Sequence, residues 1–346
     1  MRVLQNERMA WVAGGFIAGF FYSKLASKYD FTVAGAFKYL KHKLASLGEP
    51  PITPEQTARV QRLEPGRSMV EKMFPMMARL SKDERILHKT FRLSGTGEDM
   101  PYALYVPPTY DASKPNAMVV FLHGGMGEYD SPFVADGFLE SAERTGVIVL
   151  CPLGYNRVCF FGSRNISLHG HDMAEIGQMA ELCVIEAMAA VRKTYNVDPA
   201  RISLGGYSMG ASASMHFALN YPDMFAAMGG IAAGLPTVPG NGFGPPGWEG
   251  GWKTMRMFTE GMADQLDAIK HIPFMYLFGE KDGLCTAEAG KHWEDAMLAK
   301  GMTAEFITCE GLDHYENHAG KHAGVFFGNG EGISKLFDCL TKAKKA

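Results

Sequence analysis

Excess charge of either sign is nearly missing from this sequence. Its 34 Lys and Arg stand against 37 Asp and Glu, a formal net charge of −3. A chain this close to neutral has no global electrostatic drive toward nucleic acid, so none is expected as a partner. No Cys-x-x-Cys pair occurs among the six cysteines, Cys151, Cys159, Cys183, Cys285, Cys309 and Cys339. That absence argues against a zinc ribbon and a thioredoxin-type redox motif. The scattered cysteines are expected mostly as buried thiols outside disulfides, since cysteine is among the most buried residue types. No stretch repeats at a period of 20–50 residues, so a solenoid or propeller is excluded. Charged residues make up only 21% against 47% hydrophobic, which excludes a mostly disordered chain, a collagen and a coiled coil. What remains is an ordinary globular chain of 346 residues, long enough for one large α/β domain with an extension.

The first 85 residues read as a helical extension. Met9–Tyr22 (MAWVAGGFIAGFFY) carries no charge and follows Arg2 and Arg8, as in a signal-peptide n-region, but is shorter than the ~20 residues of a spanning helix. Phe37, Leu40, Leu44 and Leu47 recur at helical spacing, interleaved with Lys38, Lys41 and Lys43. Such a basic amphipathic stretch can lie on an anionic membrane surface. Residues 9–47 are therefore a possible membrane-associated segment. Membrane association is expected slightly ahead of a cytoplasmic location with the helices packed internally, and a cleaved secretory signal is the third reading. Proline-containing residues 49–54 (EPPITP) read as an extended linker.

From Ile86 the pattern becomes that of a catalytic domain, 86–346. Apolar or β-rich segments at 86–93, 102–106, 117–122, 147–151, 201–205, 226–232, 273–278 and 303–308 predict strands. Helices are predicted over 172–195, 209–220 and 332–343. This alternation predicts a mostly parallel sheet covered by helices on both faces. The Gly/Pro-rich insert 234–258 reads as a lid or binding loop.

Gly206-Tyr207-Ser208-Met209-Gly210 stands between a predicted strand and a predicted helix. In that setting a G-x-S-x-G run places the serine on a tight turn at a helix N-terminus, where backbone N–H groups face developing negative charge. Ser208 is the expected nucleophile. A serine hydroxyl needs a base, and in this arrangement an acid and then a histidine follow the serine in the chain. Asp282 and His314 follow two later predicted strands. Glu280, Asp313 and Asp264 compete as the acid. Strand 117–122 runs into His123-Gly124-Gly125-Met126-Gly127, a glycine-rich loop suited to donating an oxyanion-hole N–H. Gly125 and Met209 are the expected donors, with Gly124 or Met126 as alternatives, and His123 is expected to hold the loop. Tyr207, Trp248 and Trp252 are candidate substrate contacts, although the tryptophans serve equally well as anchors of the insert. His314, His318 and His322 share helical spacing, but Gly320 interrupts them and no metal is expected.

The runs Phe121–Gly127 (FLHGGMG), Val197–Gly210 (VDPARISLGGYSMG) and Tyr221–Ala227 (YPDMFAA) together resemble the α/β-hydrolase esterases. They are most similar to the branch of feruloyl esterases, polyhydroxybutyrate depolymerases and predicted peptidases. The likeness covers about residues 100–340. It implies a serine hydrolase that cleaves carboxylic esters, borne by small molecules or polymers, through an acyl-enzyme without metal or organic cofactor. A peptidase on the same triad and a non-catalytic membrane-associated binding protein are the alternatives. Met126 departs from the pattern where relatives carry another glycine, and Gly210-Ala211 stands where many have two glycines.

Overall fold

The computed structural model describes residues 80–162, 167–168, 171–172, 174–235, 266–315 and 324–345. Segment 9–47, and the expected extension as far as residue 79, lie outside these residues. Only Gly234 and Leu235 of the insert 234–258 lie within them. Among the described residues no helix is long and apolar enough to cross a membrane.

Eight strands form the main sheet: β1 (Ile86–Arg92), β2 (Asp99–Tyr105), β3 (Asn116–Leu122), β4 (Ile148–Pro152), β5 (Val197–Gly206), β6 (Met228–Ile231), β7 (Phe274–Gly279) and β8 (Ala304–Cys309). Their order across the sheet is β1-β2-β4-β3-β5-β6-β7-β8. β2 runs antiparallel to both neighbours, and every other pairing is parallel. Among the described residues, five α-helices accompany the sheet: α1 (Phe138–Thr145), α2 (Ala174–Thr194), α3 (Met209–Asn220), α4 (Ala287–Ala299) and α5 (Gly330–Lys342). This is the expected α/β-hydrolase fold.

Burial follows position in the sheet. β4 and β7 are buried at every residue, and β3 at five consecutive residues, Met118 to Leu122. Continuous apolar runs of this kind belong to strands covered on both faces. Val119 of β3 lies between Val149 of β4 and Ser203 of β5, at the centre of the sheet. The edge strand β1 is exposed over Leu87–Thr90, where His88 and Lys89 discourage pairing with another chain. β8, at the other edge, is only half-buried, which departs from the buried strand that its apolar letters suggest.

Two helices escaped the sequence pattern. α1 is eight residues long, bracketed by Gly137 and Gly146 in left-handed conformation, and too short for a periodic signal. α4 buries only Ala289, Gly290, Trp293 and Met297, so its apolar stripe is thin, although the Thr286 side chain caps it by accepting from the Ala289 N–H. An aromatic chain ties helices to sheet. Phe138 of α1 meets Phe121 of β3 edge-on at 4.8 Å and Phe337 of α5 at 5.1 Å. Fully burying a phenylalanine contributes about 2–3 kcal/mol, so this seam is a large part of what seats α1 and α5. All six cysteines are described and none forms a disulfide; four are buried and two half-buried.

Candidate active site

β3, β5, β7 and β8 each end on the same edge of the sheet. The loops that leave them carry Gly125, Ser208, Asp282 and His314 respectively. This C-terminal edge is where parallel α/β sheets bind ligands.

The turn after β5 is forced tight. Ser208 has φ 50° and ψ −109°, a left-handed value that a residue with a side chain adopts at a cost of about 1–3 kcal/mol. The surroundings over-determine it. Tyr207 N–H donates to Leu122 O at 3.0 Å, Ser208 N–H to Ile231 O at 2.8 Å, and Gly210 N–H to Tyr207 O at 2.8 Å. A Cβ on Gly206 would run into the Gly210 backbone, and one on Gly210 into the Leu122 carbonyl. The two flanking glycines are thus demanded by close backbone approach.

Ser208, His314 and Asp282 lie in one hydrogen-bonded line. His314 Nδ1 is 2.8 Å from Asp282 Oδ2, and Nε2 is 3.0 Å from Ser208 Oγ. With the carboxylate accepting, the imidazole proton sits on Nδ1. Nε2 is then left to accept the Ser208 hydroxyl proton. Asp282 Oδ1 accepts from the backbone N–H groups of Leu284 at 2.8 Å and Cys285 at 2.7 Å, so both carboxylate oxygens are engaged. The Asp282 and His314 side chains are 0% and 2% exposed, which keeps water from competing for these bonds. The rival acids are occupied elsewhere or undescribed. Glu280 accepts from the Gly311 N–H, Asp313 accepts from the His314 N–H, and Asp264 lies outside the described residues.

Tyr207 does not serve as an exposed substrate contact, and that expectation is corrected. The residue is 1% exposed. Its ring stacks on Phe326 at 4.6 Å, and its hydroxyl donates to the His314 carbonyl at 2.8 Å. Burial pushes its phenol well above the ordinary value, so it remains a neutral donor. Trp248, Trp252, His318 and His322 lie outside the described residues.

The loop after β3 is tied to the 153–157 segment. His123 is buried, with Nδ1 2.7 Å from Gly124 O and Nε2 2.8 Å from Leu153 O. Burial is the leading cause of its lowered pKa, which favours the neutral ring. Met126, at φ 65°, donates its N–H to Arg157 O at 2.6 Å, and Gly127 donates to Gly124 O at 2.9 Å. Met126 therefore has no N–H left for an oxyanion, and this alternative is corrected. A Cβ on Gly125 would meet only Met209 Cβ, at 4.0 Å, so Gly125 lies beside the residue after the serine without crowding it. Arg157 also sends Nε and Nη2 to Glu128 Oε1, at 3.0 and 2.9 Å. The sequence reading missed this ion pair. Its partners stand 29 residues apart, and neither sits in a recognisable motif.

One further residue lies close to the Asp282–His314 pair. Asp282, Cys285 and His314, all buried, each offer a ligand atom within 4.8 Å of the others.

The model of the family named Esterase, described as "Putative esterase", matches residues 94–270, a stretch that contains Gly124, Gly125, Ser208 and Met209. A curated fungal protein, "Probable acetylxylan esterase A" of Aspergillus flavus, is 31% identical over 135 residues, which are 38% of this chain and 41% of that protein. The matched part is thus less than half of the relative's length. Among solved structures, a ferulic acid esterase from Anaeromyces mucronatus in complex with ferulic acid superposes with a TM-score of 0.54. It is 16% identical, over 78% of this chain and 95% of its own. An S-formylglutathione hydrolase from Agrobacterium tumefaciens gives a TM-score of 0.51 at 17% identity, over 73% and 91% of the two chains.

Proposed function

The chain belongs to the esterase family, and on that premise we propose that it hydrolyses carboxylic esters as a serine hydrolase, through an acyl-enzyme on Ser208. In this reading the Ser208 hydroxyl gives its proton to His314 Nε2 as Oγ bonds to the substrate carbonyl carbon. The carbonyl oxygen takes up the negative charge and is received by the N–H groups of Gly125 and Met209. Asp282 keeps the imidazole in the tautomer that can accept and stabilises the imidazolium that forms. The tetrahedral adduct collapses, His314 returns the proton to the departing alkoxide, and the alcohol leaves. A water then loses its proton to His314 and attacks the acyl carbon. Collapse of the second adduct releases the acid and restores the serine.

The observation that carries this reading is the buried line Ser208–His314–Asp282, with bonds of 3.0 and 2.8 Å. No observation at the site favours the peptidase or the non-catalytic alternative. The names of the relatives set the substrates to try: acetyl and feruloyl esters, and a formyl thioester. Labelling with a fluorophosphonate, which phosphonylates an activated serine, provides the test. Wild type should label and turn over p-nitrophenyl esters, while Ser208→Ala should do neither. A folded wild-type protein that fails to label, or a Ser208→Ala variant that keeps full turnover, would overturn the assignment.

A further inference from the structure

We propose that Asp282, Cys285 and His314 form a binding site for a soft divalent cation of the zinc and cadmium class, and that an ion bound there switches the active site off. The inhibitory half rests on the catalytic reading above, whereas the binding half does not.

The donor set is the starting point. One sulfur, one imidazole nitrogen and one carboxylate oxygen lie within 4.8 Å of one another. A tetrahedral zinc ion with bonds of about 2.0–2.3 Å spaces its ligand atoms about 3.3–3.8 Å apart. The cluster therefore closes on an ion with side-chain shifts of about an ångström. Sulfur with imidazole selects zinc-like ions, while magnesium and calcium prefer oxygen alone. The backbone already holds two of the three residues on one turn, because the Cys285 and Leu284 N–H groups both donate to Asp282 Oδ1. All three residues are buried, at 4%, 1% and 2% exposure, so an ion placed there is shielded from water. The charges also match, since thiolate and carboxylate together neutralise a dication.

Proton accounting explains the inhibition. On binding, the Cys285 thiol releases its proton to solvent and the sulfur coordinates as thiolate. If Nδ1 of His314 is the ligand, its proton moves to Nε2, which can then no longer accept from Ser208. Nδ1 is the nitrogen on the Asp282 side and so the one that can share an ion with it. The base is thereby lost, and a chelator that removes the ion restores it.

The test uses the full chain, stripped with a chelator and titrated with zinc or cadmium chloride. Three signals are read: ester turnover, melting temperature, and the ultraviolet charge-transfer band of a cadmium–thiolate bond. Wild type should lose turnover saturably, recover it with chelator, melt higher with metal, and show the band. Cys285→Ala and Cys285→Ser should lose the band, with inhibition read against each variant's own metal-free rate. Their half-inhibiting metal concentration should rise by about 100-fold or more, since even groups that merely support metal ligands are worth 10–100-fold. Ser208→Ala should bind cadmium like wild type. Equal inhibition of Cys285→Ala and wild type would overturn the site, as would a wild type with neither band nor melting shift. A wild type that shows the band and shift but hydrolyses no ester would leave the metal site standing and overturn the catalytic reading and its inhibition.

Discussion

Replacing Arg157 with Met tests how far the loop after β3 depends on one ion pair. The Arg157 side chain is 16% exposed and that of Glu128 8%, so the pair is nearly out of water. Arg157→Met removes the guanidinium and leaves the Glu128 carboxylate without the two N–H groups at 2.9 and 3.0 Å that now reach Oε1. Removing one partner of a buried pair costs about 3–5 kcal/mol, and the residual exposure here argues for the lower end, about 3 kcal/mol. That is a visible share of the 5–15 kcal/mol by which domains are stable. Neutralising the second partner should return most of it, so Glu128→Gln/Arg157→Met should lie within about 1 kcal/mol of wild type. Urea denaturation of wild type, both single variants and the double variant closes the cycle, with a coupling of about 2 kcal/mol or more expected. The Met126 N–H to Arg157 O bond is main chain and survives these changes. Turnover should nevertheless fall, because the loop that carries Gly125, the proposed oxyanion donor, loses its side-chain clamp, lowering kcat more than it raises KM. A loss below about 1 kcal/mol in Arg157→Met, or a coupling near zero, would refute the claim that the pair is a buried clamp.

Neighbouring glycines in that loop should behave differently. Gly124→Ala drives a Cβ to 2.6 Å from the Tyr207 ring and should lower the melting temperature by several degrees, whereas Gly125→Ala meets only Met209 Cβ at 4.0 Å and should melt within a degree or two of wild type. Tyr207→Phe strips the His314 carbonyl of its 2.8 Å donor and should cost about 1–2 kcal/mol by urea denaturation, with a fall in kcat because the same backbone carries the proposed base. Asp130 supplies a pH test. Desolvation raises its pKa above 3.8, and its Oδ1 is buried without a hydrogen-bond partner, while Oδ2 accepts from the Ser81 N–H. A carboxyl whose folded pKa lies above its unfolded one stabilises the fold while protonated, and that contribution is lost as pH rises from the unfolded value through the folded value. Asp130→Asn escapes this loss, so its stability relative to wild type should be most favourable at neutral pH and shrink on acidification toward 3.8. A difference that grows on acidification would contradict the sign.

How much of this was legible in the letters depends on how far apart the cooperating residues lie. Gly125, Ser208, Asp282 and His314 could be singled out because each follows an apolar strand, and a parallel sheet gathers the loops at its strand ends without further information. β3, β4 and β7 are legible as continuous apolar runs between turns, and β1 through its β-branched and aromatic residues. Where function needs a partner across the fold, local reading failed. Tyr207 stands beside the proposed nucleophile in the sequence, where a substrate contact is expected, yet its ring is claimed by Phe326 and its hydroxyl by the His314 backbone, both more than 100 residues away. Met126 has the chain position of an oxyanion donor, but its N–H is spent on Arg157, in a segment no motif connects with it. Cys285 reads as one more apolar letter until the turn after Asp282 brings its sulfur near the imidazole of His314. These residues do not announce a chemical role. They decide which groups in the recognisable motifs are left unspent, and an N–H already donated or a ring already stacked is unavailable to a substrate, whatever motif it occupies.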